Sequence, residues 1–199
     1  MKKIPQDLHI HTVYSIGDGA VAPQMTIDFV ASIEHADIRG ISDHFEYLQG
    51  NAFESYSRNV RAHGFYLGCE INSGEETREA SEYPYDYFIY HCRDKASEYR
   101  GAEFLVSTGK PVIISHPMAM GADLSRVPRE CFIEINNRYV WRGDYMSYFS
   151  PWTEAFHFVF GSDAHQPNWL SQTIARKAGQ DLGITESLLF SKITPAQTR

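Results

Sequence analysis

Thiols are scarce in this 199-residue chain: its three cysteines, Cys69, Cys92 and Cys131, form no CxxC pair. An odd, scattered set argues against a disulfide framework and for a reducing compartment. Long apolar runs are absent as well. Apolar stretches such as 112–114 and 156–160 fall far short of the roughly 20 residues a bilayer span needs. Met1-Lys2-Lys3-Ile4-Pro5-Gln6-Asp7 has charge but no apolar stretch behind it, so no signal peptide is expected and the expected location is cytoplasmic. No Lys/Arg run occurs, and 18 basic against 25 acidic side chains give a formal charge of −7. That balance argues against a nucleic-acid polymer or an anionic membrane as partner, because phosphate backbones are held by clustered cations. No repeat, low-complexity tract or Pro/Gly/Ser linker divides the chain, so one domain over 1–199 is expected.

What is present is enough apolar material for a core, 43% of residues, arranged in a recurring pattern. Seven β-branched or aromatic runs lie at 4–10, 38–41, 65–71, 87–90, 111–115, 131–135 and 156–160. Most are continuous rather than alternating, as buried parallel strands are. Between them, Ala22-Pro23 opens a helical pattern carrying Ile27, Val30 and Ile33, and Asn51 is placed to cap a second that runs to His63-Gly64. Residues 96–107 and 170–182 read as helices, and 74–84 as an acidic loop with one helical turn. The pattern predicts an α/β fold, a seven-stranded (β/α)7 TIM-like barrel; an open doubly wound sheet would give a similar periodicity.

Histidine is the residue in excess. Six of the nine sit where strand runs end: His9 and His11 in Asp7-Leu8-His9-Ile10-His11, His44 in Ser42-Asp43-His44, His91 after Tyr90, His116 in Ser115-His116-Pro117, and His165 in Gly161-Ser162-Asp163-Ala164-His165. Carboxylates accompany them: Asp18 before Gly19, Glu70 in Gly68-Cys69-Glu70, and Glu134 in Glu134-Ile135-Asn136. The carboxyl ends of parallel strands are where such folds build active sites. His9 and His11 are two residues apart, so on a strand their rings share a side. A lone strand-end histidine reads as a hydrogen-bonded core residue; six near carboxylates would need a partner for every ring nitrogen unless they hold metal. Imidazole with carboxylate suits Zn, Mn or Fe. His35, His63 and His157 fit cationic or capping roles instead.

Taken together and in order, these motifs over residues 7–165 resemble the PHP (polymerase and histidinol phosphatase) family. The resemblance implies a distorted seven-stranded barrel with a metal centre of two to three divalent ions at its carboxyl face. It implies that His9, His11, Glu70 and Asp163 hold one ion, that Glu70 bridges to a second held by His91 and His116, and that Asp18, His44 and His165 hold a third. All nine positions carry suitable donors. Tyr14-Ser15 stand where some relatives place a further histidine, and Asp18 fits the other family pattern. Asp7 and Asp43 are expected to orient ligand histidines.

Clustered ions about 3.5–4 Å apart suit in-line phosphoryl hydrolysis, with a hydroxide bridging two of them as nucleophile. The expected activity is therefore that of a metal-dependent phosphatase, a hydrolase acting on a small phosphorylated substrate. Glu70, Asp163 and His165 are its catalytic centre, with the leaving-group proton coming from bound water or an acid such as Asp43. Arg138, Arg142 and Asn136 are candidate substrate contacts, since arginine matches phosphate oxygens two at a time; Asn136 fits turn chemistry with Asn137 as well. Tyr47, Phe53, Tyr139, Trp141 and Trp169 are aromatics expected near the mouth. Competing readings are a nuclease or nucleotide phosphoesterase, a non-catalytic metal-binding module, and an amidohydrolase. The last lacks a strand-end lysine, since Lys110 precedes its strand.

Overall fold

The seven apolar runs become seven parallel strands in the computed structural model, which describes residues 3–191. They are β1 (Ile4–Asp7), β2 (Ala36–Ile41), β3 (Tyr66–Ile71), β4 (Tyr87–Tyr90), β5 (Val112–Ile114), β6 (Phe132–Asn136) and β7 (His157–Gly161). Each pairs with its neighbour in chain order. Beyond the two end strands, Ile10 bridges Ala164, and the His11 N–H donates to the Ala164 carbonyl at 2.9 Å. Sequential order with meeting ends makes a nearly closed, distorted (β/α)7 barrel rather than an open sheet.

Between β1 and β7 themselves a side chain takes the place of a ladder. The buried Gln172 amide donates to the Gln6 carbonyl at 2.9 Å and to the Phe160 carbonyl at 2.8 Å. One carbonyl belongs to each end strand, so the amide bridges the two strands where no ladder joins them. Below this seam, the Ser187 N–H donates to the Phe158 carbonyl at 2.8 Å and Phe190 stacks on Tyr66, closing the floor.

Leu8, Ile38, Tyr87, Ile89, Ile113 and Val159 form a small apolar cluster inside the barrel, separate from the larger one between strands and helices. Tyr87 crosses the interior to donate its hydroxyl to the Leu8 carbonyl at 2.6 Å. That path requires glycine on two neighbouring strands: a Cβ at Gly40 or Gly68 would lie 2.3 Å from the Tyr87 side chain. The strand-end histidines and carboxylates follow at the carboxyl ends of the strands.

The helices follow the sequence pattern with shifted starts. α1 (Ile27–Ile33) is capped by Thr26, whose hydroxyl accepts the Phe29 N–H at 3.1 Å, so it begins after Pro23 rather than at it. α2 (Asn51–Ala62) has Asn51 as its first residue; the capping position is Gly50, at φ +55°. α3 (Thr77–Ser81) is the single turn, and α4 (Ala96–Ser107) matches its expected bounds. α5 (Pro117–Met120) and α6 (Tyr145–Phe149) are short. α7 (Thr173–Asp181) starts later than residue 170, because Pro167–Trp169 form a separate turn and Gln172 points into the seam. No helix among the described residues is long and apolar enough to cross a membrane.

Candidate metal centre

Strand ends deliver the site. His9 and His11 follow β1, His44 follows β2, Glu70 lies in β3, His91 follows β4, His116 follows β5, and Asp163 and His165 follow β7. The β1 ladder stops at Asp7, and period two breaks there: Leu8 joins the interior plug while His9 enters the site. His9 and His11 nonetheless converge, with Nε2 atoms 3.2 Å apart.

Three groups able to hold a metal ion result: His9, His11 and Asp163; Glu70, His91 and His116; and His11, His44 and His165. In the first, Glu70 adds a donor: its Oε1 is 3.1 Å from His9 Nε2 and its Oε2 is 3.2 Å from His11 Nε2. Asp163 Oδ1 lies 3.9 and 3.7 Å from the same two nitrogens. Bonds of 2.0–2.1 Å in a tetrahedron leave donors about 3.3 Å apart, so this spacing suits one ion. In the second, His91 Nε2 and His116 Nε2 lie 2.6 and 3.7 Å from Glu70 Oε1. In the third, Asp18 Oδ2 is 2.8 Å from His165 Nε2 and 3.4 Å from His44 Nε2, and His44 Nδ1 is 3.2 Å from Glu70 Oε2. All nine expected ligands therefore meet.

Glu70 Oε1 carries the test of fit. It is buried and accepts no hydrogen bond, yet three imidazole Nε2 atoms, from His9, His91 and His116, face it. A buried carboxylate oxygen left so is costly unless a cation shares it. The donor set, imidazole and carboxylate without thiolate, fits hard or borderline divalent ions.

Electrostatics prepares the carboxylates. Burial alone would raise Asp163 and Glu70. The surrounding imidazoles, His9 beside Asp163 and His91 and His9 beside Glu70, outweigh it and hold both below the usual carboxylate range. Burial pushes His11 down to about 3, with His165 adding to the effect, so its ring is neutral as a ligand must be. Burial opposes charge on His9 too, but Glu134, Glu70 and Asp163 together raise it above the ordinary imidazole value.

The groups that orient these rings differ from those expected. Asp7 accepts from His35 Nε2 at 3.0 Å and from the Ser162 N–H at 3.1 Å, and touches no ligand imidazole. Asp43 accepts from the Thr12 N–H and hydroxyl, both at 2.6 Å, and from Ser15 at 2.7 Å. It reaches His11 only through Ser15, whose oxygen lies 3.5 Å from His11 Nδ1. Asp43 is fully buried, and burial pushes its carboxyl up to about 6 against the pull of these hydrogen bonds. His9 is instead held by Glu134, at 2.7 Å from its Nδ1. The sequence placed Glu134 in a strand-end motif without a role. Its inward-facing register with Asn136 on β6 was the available signal.

Asn136 is buried, its amide donating to Glu134 Oε2 at 2.9 Å and Asp163 Oδ2 at 3.2 Å, so it braces the site from inside. Arg138 reaches the site: its Nη1 lies 3.1 Å from Asp163 Oδ1 and 3.1 Å from His165 Nδ1. Its guanidinium packs between Tyr139 and Trp169. Arg142 is exposed and stands one ring further out, over Tyr139 and Trp141. Tyr139 also covers the His116 ring at 4.7 Å, and Tyr47 stands 6.4 Å from the His44 ring. Phe53 lies in α2 and packs on Tyr83 and Tyr85. His63 caps α2, its Nδ1 donating to the Asn59 carbonyl at 2.9 Å, whereas His35 is half-buried against Asp7.

Compared with models of known protein families, the chain matches none. Nor does any curated protein sequence match it.

Proposed function

We propose that the chain is a metal-dependent phosphoesterase of the PHP type that hydrolyses a small phosphate monoester, with two to three Zn, Mn or Fe ions at the barrel mouth. The observation that carries this reading is Glu70, whose two oxygens face different imidazoles: His9, His91 and His116 on one side, His11 and His44 on the other. A carboxylate shared in this way sets the spacing of adjacent cations. When bound, such ions supply positive charge for phosphoryl oxygens and a water acidic enough to ionise near neutral pH.

The chain's own residues do the rest. Glu70 and Asp163, ionised well below neutral pH, keep the centre ready to hold cations. Arg138, 20% exposed and gripped by two aromatic faces, offers a substrate phosphate a forked donor without losing much freedom on binding. The Leu8–Tyr87 plug keeps water from entering from below. Arg142 and the exposed Trp141 extend the wall outward and fit the flat or anionic remainder of a substrate. Together with the −7 charge, this cationic wall favours a small anion over a polymer, and the scarcity of thiols fits a cytoplasmic setting.

The test is turnover. Protein loaded separately with Mn, Zn or Fe(II) is assayed on a panel of small phosphate monoesters, on labelled single-stranded DNA and on amide and lactone substrates. Release of phosphate from monoesters, abolished by chelation, is expected. Much more efficient DNA cleavage, or turnover of amides alone, would overturn the reading.

A further inference from the structure

We propose that Glu134 is the positioning residue that ties the two metal groups sharing Glu70 into one unit: a single carboxylate aims the His9 ring and pins the backbone of His116. The inference rests on the reading of these groups as metal-holding. It does not rest on what the centre hydrolyses.

Glu134 is 1% exposed at the end of β6, and every hydrogen bond it makes is an acceptance. Oε1 takes the His9 Nδ1–H at 2.7 Å; Oε2 takes the His116 backbone N–H at 2.8 Å and the Asn136 amide at 2.9 Å. With Nδ1 committed as a donor, the neutral His9 ring has its lone pair on Nε2, the atom that faces His11, Glu70 and Asp163. The second bond acts on a strained residue. His116 sits at φ +30°, ψ +53°, a left-handed conformation costly for a side chain with a Cβ. The kink turns the chain into α5 directly after the ligand, and the Glu134 bond to its N–H holds it. His9 belongs to one group and His116 to the other, so both depend on one carboxylate.

β7 is shaped to admit that carboxylate. A Cβ at Gly161 would stand 1.8 Å from Glu134 Oε1, and Gly161 has no positive φ to explain its presence otherwise. The glycine therefore serves the approach of Glu134 to His9. An acceptor-only group is also required. Glutamine would have to present its NH2 either to the His116 N–H or to His9 Nδ1. The second choice moves the His9 proton onto Nε2 and blocks it as a ligand.

The experiment measures Zn2+ affinity and stoichiometry by competition with a chromogenic chelator, for wild type, Glu134→Gln and Gly161→Ala. Far-UV circular dichroism checks the fold of each. The expected result is a loss of about 10–100-fold in Zn2+ affinity for Glu134→Gln, affecting two ions rather than one, with the fold retained. Gly161→Ala, which keeps Glu134 but displaces it, is expected to show the same loss and carries the test if Glu134→Gln does not fold. A purely space-filling role would leave the isosteric glutamine neutral. Wild-type affinity in both variants, or loss of one ion alone, would overturn the inference. A wild-type chain that binds no Zn2+, Mn2+ or Fe2+ would overturn the metal-centre reading on which it rests.

Discussion

The Nε2 atoms of His91 and His116 face each other at 3.1 Å, while the Nδ1 atom of each ring is buried without a hydrogen-bond partner. Two Nε2 atoms facing each other can share at most one proton, whereas a cation held between them would take both lone pairs. Replacing His91 and His116 together with alanine should remove one ion per chain by elemental analysis, and lower phosphate-ester turnover at least 100-fold, beyond the loss typical of an orienting residue. Unchanged metal content would sink the assignment of that pair.

Arg138 contacts the same Asp163 oxygen that faces His9 and His11, but from the solvent side. Arg138→Ala should leave metal content intact and reduce kcat/KM for phosphate monoesters by about 10²–10³-fold, the usual effect of losing one preorganised charged donor. Lysine restores charge but not the fork, so Arg138→Lys should recover only part. Full activity in Arg138→Ala would return the residue to a surface role.

Gln172 is one of the side chains that join β1 to β7. Gln172→Ala would remove the amide that donates to both the Gln6 and Phe160 carbonyls. Losing two buried hydrogen bonds costs roughly 1–3 kcal/mol. Urea unfolding of the chelator-treated variant should show that loss; a change within about 0.5 kcal/mol, the usual range for a surface substitution, would mean that the seam closes by other means.

Stripped of metal, the protein should be acid-sensitive in a defined window. His11 titrates at about 3 when folded, chiefly because it is buried, and at about 6.5 when unfolded. Between those values the unfolded chain binds more protons, so stability falls as pH falls. Glu70 and Asp163, lowered by their imidazole neighbours against the pull of burial, contribute stability above their unfolded values near 4 and lose it through their lower folded values. His9 works in the opposite sense. Raised when folded, it contributes below about 6.5 and loses that contribution as pH climbs through its folded value. Urea midpoints of chelated wild type should decline from pH 6.5 to pH 4, and His11→Asn should flatten the slope. A wild-type midpoint constant across that range would contradict the burial argument.

Much of this was legible in the sequence, for identifiable reasons. Continuous apolar runs located all seven strands, because strands buried on both faces leave no room for polar alternation. α4 kept its bounds because Gly109 and Pro111 end it in sequence terms. Strand-end motifs, with the family resemblance they carry, named the nine side chains that meet, because groups suited to metal are few in residue type. What remained hidden was tertiary. Thr26 caps a helix expected to open at Pro23, and Gly50 takes the cap expected of Asn51, since capping depends on backbone conformation as well as residue type. Gln172 reads as one more helical residue until β1 and β7 fail to pair. Asp7 and Asp43 sit beside ligand histidines in sequence but bond elsewhere, whereas Glu134 lies 125 residues from His9 and only the closing of the barrel joins them.

The most direct measurement is the metal content of the protein as purified, read alongside hydrolysis of a small phosphate monoester before and after chelation. The account predicts at least two divalent ions per chain, loss of both metal and turnover on chelation, and recovery of turnover when Mn, Zn or Fe(II) is returned. Trace metal alone, or turnover that survives complete chelation, would contradict it.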